Sequence, residues 1–269
     1  MPLQEPGRGR PRQDSLIIKG VAGGTLGMVS TVAAAGVVLL AVGFLGLGKL
    51  EVETPVFWLV ISSSVFLWIL ADFGLRAQET RDSPSRSTQR SLGPANVLTL
   101  FRALLAAMMV GCVALPPEGT VTTWLPGSLY FLVVLGDGLD GPLARRTGTV
   151  TALGAELDIA TDRMAFLGAV VVAVVWERLH PGFLVVGLLP LLFVGHMQLR
   201  RRAGLPVQAL APNGFRQTMG TLFTLFLALA LLPVPSSSHL AMPGLALSVL
   251  LVLGFVRDWW WSTRKVERP

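Results

Sequence analysis

Residues 137–162 read DGLDGPLARRTGTVTALGAELDIATD and place four aspartates, Asp137, Asp140, Asp158 and Asp162, inside a chain that otherwise reads as membrane. Asp137 and Asp140 are three apart and Asp158 and Asp162 four apart, so on helices the two carboxylates of each pair share a face. Two such faces can meet. Carboxylates at bilayer depth lose hydration that only a cation or a water-filled cavity restores. Four of them without an equal number of neighbouring bases imply metal, and oxygen-only ligands select Mg2+ or Mn2+ over zinc.

Outward from this stretch the composition is that of a polytopic membrane protein. Of 269 residues, 52% are hydrophobic and 14% charged, and the mean hydropathy is +0.63, outside the range of ordinary soluble domains. The formal charge of +6 is spread between apolar runs rather than gathered in a basic helix or an aromatic-interleaved patch, which argues against a nucleic-acid partner. Cys112 is the only cysteine, so a disulfide within the chain and cysteine-ligated zinc are excluded. Lysine is scarce beside arginine in a sequence rich in Ala, Gly, Leu and Val, which points to a GC-rich bacterial genome. The polar segment Met1 to Arg12 leads into a full-length span without a small-residue cleavage site, so the first span is expected to stay in the membrane.

Apolar runs near 24–47, 56–75, 99–115, 124–141, 160–177, 182–199, 217–233 and 240–258 predict an all-α protein with eight spans. They divide into a tail (1–23), an N-terminal transmembrane hairpin (24–75), a polar Ser- and Arg-rich linker (76–93), a six-helix core (94–262) and a short C-terminal tail (263–269). The linker sets the hairpin apart, and the core is expected to fold and work without residues 1–80. With both termini in the cytoplasm, only Lys49 and Arg178 of the 22 Lys and Arg residues fall in outside loops, as the positive-inside rule requires. Both aspartate pairs then lie at cytoplasmic ends of their spans, within reach of a water-soluble nucleotide. Asn96, Thr99 and Arg102 recur at spacing three and form one stripe of a helix starting at the same surface.

The run resembles, position for position, the signature of the CDP-alcohol phosphatidyltransferase family, D-x2-D-G-x2-A-R-x8-G-x3-D-x3-D. It is met by Asp137, Asp140, Gly141, Ala144, Arg145, Gly154, Asp158 and Asp162. At average residue usage such a match arises by chance with a probability on the order of 10⁻¹⁰ per start point. PANVLTLFR just upstream resembles the family's Asn-x2-Thr-x2-Arg element. The resemblance implies a membrane enzyme of phospholipid synthesis that moves a phosphatidyl group from a CDP-linked lipid to an alcohol acceptor and releases CMP. It implies two Mg2+ or Mn2+ ions on Asp137, Asp140, Asp158 and Asp162, with Asp162 as the base for the acceptor hydroxyl. It implies a nucleotide site built from Asn96, Thr99, Arg102, Gly141, Ala144, Arg145 and Gly154, and a homodimer, since relatives are commonly dimers.

The acceptor stays open on the sequence. Arg200, Arg202 and Arg216 match a region where family members with phosphorylated acceptors place basic residues, which favours glycerol 3-phosphate; inside anchoring explains the same residues. Inositol phosphate, serine, phosphatidylglycerol, or transfer of a CDP-linked head group to diacylglycerol are the alternatives. A cation transporter would also want intramembrane carboxylates, but nearer mid-span and accessible from both sides.

Overall fold

A computed structural model of the chain describes residues 11–50, 52, 55–82, 94–147, 152–208, 210 and 213–264; for residues 11–29, 76–82, 94–95, 140, 143–145, 147 and 152–153 only the backbone is described. Among the described residues the secondary structure is helical, with eight α-helices: α1 Pro11–Lys49, α2 Pro55–Asp82, α3 Pro94–Gly111, α4 Thr120–Thr147, α5 Ala152–Val175, α6 Phe183–Arg202, α7 Gly214–Ala230 and α8 Ser237–Thr263. The first three open on proline, whose fixed φ suits the first helical position and whose missing N–H is an orphan there anyway. Asn213 caps α7, its side-chain oxygen accepting from the Phe215 N–H at 3.0 Å.

Five helices, α1, α2, α3, α6 and α8, are long and apolar enough to cross a membrane. Eight spans were expected. The difference lies in α4 and α5, which carry charged residues at the ends that meet, and in α7, whose 17 residues rise about 25 Å. Outward-facing Val37, Val42, Leu67, Leu245 and Leu253 are each more than half exposed, a surface suited to lipid rather than water. The protein is a multi-pass membrane protein.

At the centre stands α3. Its span from Asn96 to Ala114 is 61% buried, against 28% or less for the other four, because α2, α4 and α5 all pack on it. The hairpin is therefore set apart in sequence but not in space. Trp58 of α2 is 1% exposed and donates its indole N–H to the Met108 carbonyl of α3 at 3.1 Å. Gly111 lets the two helices touch, since a Cβ there would overlap the Ser62 hydroxyl and the Trp58 carbonyl oxygen. The expected linker also begins later than the sequence suggests. Helix α2 runs on through Arg76-Ala77-Gln78-Glu79 to Asp82, good helix formers that continue it past the apolar run; the rest of the linker lies outside the described residues.

Candidate active site

The helix ends that carry the sequence-predicted residues gather at one end of the bundle: the start of α3, the end of α4 and the start of α5. Asn96, Thr99 and Arg102 form the inner stripe of α3 and are 4%, 3% and 1% exposed. A guanidinium this deep needs acceptors on every side. Arg102 finds them: Nε donates to the Val133 carbonyl at 3.2 Å, Nη1 to Asp158 at 2.7 Å, and Nη2 to Asp137 at 2.9 Å and Asp162 at 2.6 Å. Its stem passes α4 at Gly136, where an added Cβ would lie 2.7 Å from Cγ. Gly136 is thus a site residue that the sequence reading missed; a glycine directly before the first aspartate was its signal.

The three carboxylates are 36% to 52% exposed, so the cluster has a buried cationic floor and an open mouth. Each offers one oxygen within 4.8 Å of the others. Like charges at that separation repel by about 1 to 3.5 kcal/mol per pair between bulk-water and near-surface dielectric. Among the described residues one guanidinium faces three carboxylates, and its bonds to them use Oδ1 of each. The remaining oxygens suit a hard divalent cation in charge and chemistry. Asp140, Ala144 and Arg145 lie among the residues described by backbone alone. Gly141 is partly exposed on α4 and Gly154 is buried near the start of α5.

Two buried polar atoms beside this stripe have no partner: Asn96 Nδ2 and Thr161 Oγ1. Thr161 stands on α5 between the two aspartates. An unpaired buried donor costs about 1–3 kcal/mol, so both atoms keep hydrogen-bonding capacity next to the carboxylates. Below the carboxylates a recess of about 70 Å³ is lined by Tyr130, Val133, Ala165 and Thr224 as well as Arg102 and Asp162. Tyr130 and Thr224 also escaped the sequence reading; a lone tyrosine in an apolar run reads as packing.

The arginines expected at the acceptor sit on α6 and α7 at the same end of the bundle. Arg200 donates to the Pro206 carbonyl at 3.1 Å and the Thr263 carbonyl at 3.4 Å, while its buried Nε is unpaired. Arg202 is exposed in the last turn of α6. Arg216 pairs with Asp258 at 3.1 Å, and Arg257 holds the other oxygen of that carboxylate at 2.9 Å. Asp258 is 7% exposed and was not singled out, though a lone acid near the end of an apolar span announces a paired carboxylate. His196 is packed against Trp259, ring centroids 5.0 Å apart.

Residues 93–259, more than half of the chain, match the family model for CDP-alcohol phosphatidyltransferase. One similar protein, a CDP-diacylglycerol–serine O-phosphatidyltransferase from Methanocaldococcus jannaschii, is 51% identical over 39 residues, which is 14% of this chain and 19% of that protein. The chain thus matches about a fifth of the length of that relative.

Proposed function

We propose that this chain, which belongs to the CDP-alcohol phosphatidyltransferase family, transfers a phosphatidyl group from CDP-diacylglycerol to an alcohol and releases CMP. The observation that carries this reading is the meeting of Asp137 from α4 with Asp158 and Asp162 from α5 on one arginine of α3. Asp137, Asp140, Asp158 and Asp162 would hold two Mg2+ or Mn2+ ions, which when bound neutralise the diphosphate and acidify the attacking hydroxyl. Asp162 takes the hydroxyl proton as the acceptor oxygen bonds to the phosphatidyl phosphorus. The bond from that phosphorus to the bridging oxygen breaks, and CMP leaves with the electron pair. Arg102 holds the three carboxylates in register from below, where it excludes water without occupying the mouth. Asn96, Thr99 and the small residues Gly141, Ala144 and Gly154 receive the cytidine nucleotide, and Arg145 its phosphates.

For the acceptor we favour a phosphorylated polyol, glycerol 3-phosphate first. Arg216 and Arg257 meet on Asp258, the buried Nε of Arg200 has no partner, and Arg202 is exposed, so this end of the bundle gathers guanidinium groups of a chemistry suited to phosphate. Serine is the second reading, favoured by the 39-residue likeness to a serine enzyme. The topology that fits is eight spans in a bacterial cell membrane with both termini in the cytoplasm, the side from which the nucleotide leaves; a homodimer is expected from the family. The test supplies labelled CDP-diacylglycerol with each acceptor in turn to washed membranes and identifies the lipid formed. Product with glycerol 3-phosphate and none with serine is the expected result; the reverse outcome replaces the first reading by the second, and absence of CMP release with every acceptor overturns both.

A further inference from the structure

At the end of the bundle remote from the carboxylates, α5, α6 and α8 leave a gap beside their contacts. Val174, where α5 borders the gap, lies 12 residues beyond Asp162, about 18 Å along the helix. The gap is a cleft of about 770 Å³. One stripe of α8, Ser237, Ala241, Leu245 and Ser248, faces it at helical spacing, opposite Phe183 and Val186 of α6. In a soluble protein such a stripe would be pressed against a neighbouring helix. Here α8 is an apolar span left only 17% buried, so the cleft opens in a surface that lies against lipid.

Depth and rim chemistry name the occupant. From Ser237 to Ser248 the stripe rises about 16 Å, close to the ~15 Å half-thickness of a bilayer's hydrocarbon core. The wall is apolar between those two serines. At the rim, by contrast, stand one carboxylate, one guanidinium and one imidazole: Glu177, Arg178 and His180. Arg178 is fixed there by donating to the carbonyls of Ala230 at 3.0 Å, Leu232 at 2.6 Å and Pro235 at 2.5 Å, and Ser237 donates to the Glu177 carbonyl at 3.2 Å. The Glu177 carboxylate itself is exposed. A rim that offers a cation and an anion side by side matches a head group that carries both, phosphate toward Arg178 and His180 and amine toward Glu177.

We propose that this cleft is a binding site for one zwitterionic phospholipid, an acyl chain lying along the α8 stripe and an aminoalkyl phosphate head at the Glu177–His180 rim. The proposal rests on the bundle lying in a membrane and is independent of the transfer chemistry. Its test is native mass spectrometry of the full chain, purified in mild detergent and incubated with phosphatidylethanolamine, phosphatidylglycerol or diacylglycerol of identical acyl chains. One phosphatidylethanolamine is expected per chain, retained at least tenfold better than either competitor. Leu245→Trp, which fills the cleft, should cut retention about tenfold and leave CMP release within twofold. Glu177→Gln, on the exposed rim and without consequence for folding, should keep binding but erase the preference over phosphatidylglycerol. Equal retention of all three lipids by the unmodified chain, or an unchanged preference in Glu177→Gln, overturns the proposal whatever happens to the tryptophan variant.

Discussion

The two faces of α3 are held by opposite physics. Toward α2 the contact is dry and filled: Trp58 lies fully buried over Met108, and Ser62 sits where any side chain at position 111 would stand. Toward α4 and α5 the apolar packing, in which Gly168 lies against Val110, gives way at the site end to a guanidinium under three half-open carboxylates. Volume specifies the first face, and charge specifies the site end of the second. A change of shape should therefore damage stability on one side, and a change of charge should damage chemistry on the other.

The largest effect expected is on the charged face. Asp162→Asn keeps the shape and removes the charge, so CMP release should fall about a hundredfold or more, while thermal unfolding in detergent moves little. A variant that retains more than about a tenth of the rate would end the role given to Asp162. On the same face, EDTA should abolish turnover in washed membranes and Mg2+ or Mn2+ should restore it. Gly136→Val tests the floor: its side chain would displace the Arg102 stem, and a loss of tenfold or more is expected. Gly138→Ala, with nothing within 4 Å of its added Cβ, is the matched control and should stay near the original rate.

On the dry face the pattern should reverse. Trp58→Ala removes a fully buried indole and its bond to Met108 and should cost about 3–5 kcal/mol of stability, with the rate per folded molecule within about threefold. Removal of residues 1–80 exposes the same strip of α3 and is expected to yield an unstable core, contrary to the independence that the linker suggests. A truncated chain with the original unfolding midpoint would show that α2 merely leans on α3.

These faces differ in how far the sequence exposes them. Asp137, Asp158 and Asp162, which the structure brings together, are legible because carboxylates in apolar runs are rare and need a stated partner. Arg102 is legible as a site residue through its stripe with Asn96 and Thr99, but not its partners, because three salt bridges across three helices depend on a glycine at position 136 of a kind common in membrane helices. Packing of α2 on α3 is illegible for a different reason. Nearly every position of a membrane span is apolar, so periodicity does not tell the lipid side from the protein side, and Trp58 and Trp68 look alike although one is 1% and the other 52% exposed.

The smallest effect expected concerns the arginines on α6 and α7, and it decides the acceptor. Asp258 aims Arg216 from 3.1 Å, and a guanidinium presents its N–H groups in a fixed fork that matches phosphate oxygens. Arg216→Ala should then raise KM for glycerol 3-phosphate about tenfold, the worth of one charge-assisted hydrogen bond, and leave KM for the CDP-linked lipid unchanged. Arg202→Ala, exposed and without a carboxylate to hold it, should do less. Asp258→Asn separates aim from charge: it adds net positive charge at this end, so a pure field effect would lower the acceptor KM, whereas loss of aim raises it. A rise in both Arg216→Ala and Asp258→Asn supports a phosphate subsite built by the pair. Unchanged acceptor KM in both returns these residues to anchoring α7 against α8, and serine becomes the better reading.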